Sequence, residues 1–125
     1  MQSALTLNRS ESLHLRQLPE GLSLFCLRAG EAEGPPLLGW PDRVQFNSML
    51  RLTGGRALLK TNREVILLDR DNSTLKLRTL FKAPFDDSFC YESLSISRRY
   101  PDLLIFTLTK TGVVIFKLKN FLLRH

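Results

Sequence analysis

Residues 88–119 read SFCYESLSISRRYPDLLIFTLTKTGVVIFKLK, and this stretch decides the fold class. It parses into three short strands joined by two turns. The first turn is Arg98-Arg99-Tyr100-Pro101-Asp102, where proline fixes φ and cannot donate to a ladder. The second is Lys110-Thr111-Gly112, a hairpin connection with glycine where φ turns positive. Residues 103–109 and 113–118 are apolar at both odd and even positions. A strand of that kind calls for cover on both faces, whereas a sheet with one face in water alternates apolar and polar residues. Phe106 and Phe116 are therefore expected in the core.

Working outward, turn signals recur along the chain. Leu13, Leu15 and Leu18 predict a first strand, and Leu22, Leu24 and Cys26 a second, broken by Gly21. Residues 29–42, AGEAEGPPLLGWPD, are rich in glycine and proline and predict a long loop. Val44, Phe46, Leu50 and Leu52 lead to Gly54-Gly55, then residues 57–59 and 65–68 form strands around an Asn62 turn. Asp71-Asn72-Ser73 is a tight turn, and Leu75, Leu77 and Thr79 alternate with Lys76 and Arg78. Phe89, Tyr91, Leu94 and Ile96 are expected on one strand, and residues 121–123 as a last strand or a docked tail. The fold class is all-β: a mainly antiparallel meander of eight or so strands forming a small sandwich, a barrel or a propeller-like partial structure. Residues 1–12 are expected as a flexible N-terminal segment, and residues 13–125 as a single all-β domain.

One internal similarity stands out. Residues 65–72, VILLDRDN, line up with residues 113–120, VVIFKLKN, at an offset of 48 residues. Segment 93–119 resembles a β-propeller blade, with a strand, a Pro-Asp turn, a strand, a Thr-Gly turn and a strand. It lacks the Gly-His and Trp-Asp dipeptides of WD40 repeats. Four blades need roughly 160 residues, so the resemblance implies a fragment of a propeller or one that a partner completes, and a self-contained sandwich, open barrel or barrel-like meander fits the length better.

Composition narrows function by exclusion. The chain has 125 residues, a net charge of +6, 43% apolar and 24% charged residues, enough apolar content for a folded core. A basic balance suits nucleic acid, an anionic membrane or an acidic protein, and the 18 basic residues are scattered without a run of three. No apolar run approaches the ~20 residues of a membrane-spanning helix. The N-terminus, MQSALTLNRSES, has neither the basic nor the apolar part of a secretory signal. The expected location is accordingly intracellular, cytoplasmic or nuclear, with Cys26 and Cys90 reduced.

Catalytic and metal patterns are poor. His14, His125, Cys26 and Cys90 lack the close pairing that zinc sites use, so no metal and no cofactor is expected. Lys110-Thr111-Gly112 and Ser73-Thr74-Leu75-Lys76 match short boxes of serine β-lactamases. Strand spacing, however, sets Ser73 and Lys76 on opposite faces. His14 is the only plausible general base, and no G-x-S-x-G elbow or P-loop is present. With the two-sided apolarity of residues 103–118, which asks for cover that a partner or second copy provides, these readings point to a non-catalytic protein–protein interaction module, a subunit of a larger assembly whose partner is another protein or a second copy. Leu37, Leu38 and Trp40 in the loop, with Phe121, Leu122 and Leu123 near the end, are the candidate partner-binding residues. The alternative is a small basic β-barrel binding RNA or single-stranded nucleic acid, with Arg98, Arg99, Lys110, Lys117 and Lys119 as candidate contacts. A third class, a ligand-binding barrel or cupin-like sensor, fits the strand pattern but lacks the cupin histidine motif.

Overall fold

The computed structural model describes residues 4–18, 21–30, 46–72, 74–83, 88–89 and 91–123. The described residues form three antiparallel meander sheets, none closed into a barrel. The N-terminal sheet holds β1 (Ala4–Thr6), β2 (Glu11–Leu18) and β3 (Gly21–Arg28). The central sheet holds β4 (Phe46–Arg51), β5 (Ala57–Thr61), β6 (Glu64–Asp71) and β7 (Thr74–Lys82). The C-terminal sheet holds β8 (Ser95–Arg99), β9 (Asp102–Thr109) and β10 (Gly112–Leu118), and beyond it lies a 3-10 helix at Phe121–Leu123.

The sheets stack through two apolar layers, one on each face of the central sheet. The period-two alternation of a strand explains how. Ala57, Leu59, Ile66 and Leu68 point to one side and pack with Leu13, Leu15 and Leu24 of the N-terminal sheet. Leu58, Val65 and Leu67 point to the other side and pack with Leu103 and Ile105, with Phe116 and Leu118 against them. A run apolar at every position is thus used on both faces in β5 and β6.

An ion pair adds to the first layer. Glu11 on β2 accepts from Arg70 on β6 at 2.9 Å, and Arg70 Nε donates to the Gly55 carbonyl at 2.9 Å. A Cβ on Gly55 would lie 2.8 Å from Arg70 Nε, and its φ of +69° is a glycine conformation. The positive φ is what calls for glycine; a Cβ would in addition push the Arg70 guanidinium from its place.

The 48-residue similarity is a structural repeat. In the β5–β6 hairpin Leu58 pairs with Leu67, and in β9–β10 Phe106 pairs with Ile115, each 48 positions on. Thr61 Oγ1 accepts the Arg63 N–H at 3.2 Å, and Thr109 Oγ1 accepts the Thr111 N–H at 3.2 Å. After each hairpin the chain turns on a left-handed asparagine, Asn72 at φ 57° and Asn120 at φ 56°. Asparagine tolerates this region where most side chains do not. Beyond the asparagine the two copies diverge, into β7 after Asn72 and into the 3-10 helix after Asn120.

Three expectations need correction. Residues 4–12, expected within a flexible lead, supply β1, the start of β2 and buried Leu7. Asn8 organises the turn between them, its Oδ1 accepting the N–H groups of Ser10 and Glu11. Phe89, Tyr91 and Leu94 precede β8 rather than forming it, and of the four only Ile96 lies on it. Phe89 is buried and its N–H donates to the Asn62 carbonyl at 2.8 Å, so this segment lies against the β5–β6 turn. Phe106, expected in the core, is only half-buried and faces away from it, whereas Phe116 does turn to the second layer.

Candidate interaction surface

The register of the C-terminal sheet assigns its two faces. Leu103, Ile105 and Thr107 on β9 are buried, and their neighbours Phe116 and Leu118 on β10 turn the same way. Leu104, Phe106 and Leu108 with Val113, Ile115 and Lys117 then point outward. Leu108 is 42% exposed, Val113 61% and Ile115 59%. Phe106 pairs with Ile115, and Leu108 with Val113, so these side chains form one contiguous apolar patch. Thr109 closes the hairpin below it, donating to the Gly112 carbonyl at 3.1 Å.

Basic side chains border the patch. Lys117 lies beside Leu104 in the register and contacts Asp102 at 3.0 Å. The Asp102 carboxyl sits below its ordinary value because it accepts the Asn120 N–H and then the Lys117 ammonium. Arg99, Lys110 and Lys119 are exposed at the ends of the sheet. Arg98 is set apart from them. It has the parity of Leu103 and lines an open groove of about 600 Å³ with Arg51, Leu52, Thr53, Gly54 and Gly55. The five expected nucleic-acid contacts thus do not make one cluster.

The expected docking residues separate too. Leu37, Leu38 and Trp40 lie outside the described residues. Phe121 is fully buried in the second apolar layer, with the Arg56 guanidinium 4.0 Å above its ring. Leu122 is half-buried against the same layer, and its N–H donates to the Pro101 carbonyl at 2.9 Å. Leu123 is the last residue of the 3-10 helix. Phe121 is therefore core, not free surface. An apolar tail reads the same in sequence whether it folds back or waits for a partner.

Ser12 Oγ and His14 Nε2 lie 2.9 Å apart as i, i+2 neighbours on one strand face. Among the described residues no carboxylate hydrogen-bonds the other ring nitrogen of His14, the place of a triad's orienting member. The backbone of both residues belongs to the strand ladder between β1 and β3. Among the described residues no three His, Cys, Asp or Glu side chains gather as metal ligands. Cys26 is a free thiol, pushed up to about 11 by burial and then by the Glu11 carboxylate. It is protonated and unreactive at neutral pH. No described helix is long and apolar enough to cross a membrane.

Two features escape a reading of the sequence. Lys60 is fully buried in β5 and donates to the carbonyls of Phe89 (2.9 Å) and Tyr91. It ties the segment before β8 to the central sheet, and a lysine within ALLKT carries no local sign of that role. The outward patch is the second. Its signal, the two-sided apolarity of residues 103–118, is legible in the sequence as a demand for cover by a partner or second copy, but not which side chains are left outside: Phe106 reads there as core.

Compared with protein-family models, curated proteins and solved structures, the chain matches none of them. Function therefore rests on the geometry of the fold and its surface.

Proposed function

We propose that the protein is a non-catalytic interaction module, a subunit of a larger assembly that docks through the outward face of β8–β10. The observation that carries this reading is the exposure of Val113, Ile115 and Leu108 beside half-buried Phe106 and Leu104. Apolar area left in water costs about 25 cal/mol per Å², and contiguous exposed apolar patches mark interaction sites. A sheet face with large apolar side chains and a charged border has the anatomy of a docking surface.

The test is the double variant Val113→Asp/Ile115→Asp in the full chain. Its melting temperature should stay within a few degrees of the parent while partner capture is lost. Unchanged capture would remove the reading. A second reading, binding of single-stranded nucleic acid, draws support from Phe106 facing outward with Lys117 on the same face. It expects nuclease-sensitive capture and an affinity that falls steeply with salt, weakened by Lys117→Glu with Lys119→Glu.

A further inference from the structure

Resting on the docking reading, the repeat specifies what docks. Leu58, Val65 and Leu67 in the central sheet correspond to Phe106, Val113 and Ile115 in the C-terminal sheet, 48 positions on. The first three are 0% exposed, because the next sheet's Leu103 and Ile105 lie on them. The second three occupy the same places on the same hairpin, with the same threonine turn, and no described residue covers Val113 or Ile115. We propose that the outward face of β8–β10 is covered by an antiparallel β-sheet of a partner chain. That sheet has an apolar centre and carboxylates at its rim, and it stacks as the C-terminal sheet stacks on the central one.

Two physical arguments select this occupant. The pleated face presents Phe106, Val113 and Ile115 in a layer matched to a second pleated layer about 10 Å away. The chain already stacks sheets this way twice, so a fourth sheet continues an existing packing mode. Charge selects against a second copy. Arg99, Lys110, Lys117 and Lys119 border the patch, while the nearby Asp102 carboxylate is engaged by Lys117. Two such borders face to face would set like charges together, whereas carboxylates on the partner would complement them.

The experiment is zero-length carbodiimide coupling of lysine amines to carboxylates in the complex captured on the intact chain. Expected are links from Lys110, Lys117 or Lys119 to Asp or Glu residues flanking a strand of the partner with alternating apolar residues. These links should vanish with Val113→Asp/Ile115→Asp, and Lys110→Glu/Lys117→Glu/Lys119→Glu should weaken capture at least about tenfold. Links to a helical partner segment, or between two copies of this chain, would overturn the proposal while leaving face-dependent docking intact. Capture indifferent to Val113→Asp/Ile115→Asp would remove the docking reading itself, and this inference with it.

Discussion

The β5–β6 and β9–β10 hairpins share strand register, a threonine turn and a left-handed asparagine, yet they live in opposite surroundings. Leu67 is sealed between sheets, while Ile115, its repeat equivalent, stands in water. Lys60 in the first hairpin is fully buried on backbone carbonyls, while its equivalent Leu108 is exposed. The polar residue is inside and the apolar one outside. Hydropathy at a single position therefore does not decide burial in this molecule; the presence or absence of the next layer does.

The widest gap should come from the same charge placed at equivalent positions. Leu67→Asp buries an unpaired carboxylate and should cost about 4 kcal/mol or more, enough to unfold a marginal domain. Ile115→Asp should change stability by no more than about 0.5–1 kcal/mol. Urea unfolding of both variants measures the contrast, and equal losses would break the comparison.

Phe121→Ala should come next, at about 3–4 kcal/mol, since it empties a fully buried ring site and removes the partner of the Arg56 guanidinium. A change below about 1 kcal/mol in thermal unfolding would return this residue to the surface. Lys60→Ala leaves two carbonyls short of a donor and should cost about 2–4 kcal/mol. Leu108→Lys, the reverse exchange at the equivalent position, should be nearly neutral.

Acid should loosen the ties at both ends of the stack. The Asn8 amide and then Arg70 hold the Glu11 carboxyl below its ordinary value of 4.5. Asp102 is also held low. A carboxyl with a depressed folded pKa stabilises above its unfolded pKa, and that contribution disappears as pH falls through the folded pKa. Stability measured by urea titration should therefore drop below about pH 4.5, and Glu11→Gln should flatten part of that slope. The smallest effect concerns Cys26. Alkylation of its thiol should be slow at pH 7–8 and accelerate only as pH approaches 11.

Much of the fold was legible because turns and periodicity are local. Gly54-Gly55, Asn72 and Gly112 are the positive-φ turn residues the sequence indicated. The alternation of Leu75 and Leu77 with Lys76 and Arg78 in β7 is likewise as written in the sequence. The candidate site was legible only in part. The apolarity of residues 103–118 signalled a demand for cover on both faces, but not that one face goes without it.

The sequence by itself determined the all-β class, most of the strands and turns from residue 13 on, and the 48-residue repeat, since each is set by backbone preferences within a few residues or by a recurring pattern. Only the tertiary structure decided that Phe116 and Phe121 are core while Phe106, Val113 and Ile115 face outward. Strand pleat fixes which residues share a face, but burial depends on what arrives from elsewhere in the chain. No local pattern records that arrival, because a leucine or isoleucine is written the same way whether its neighbour is another sheet or water.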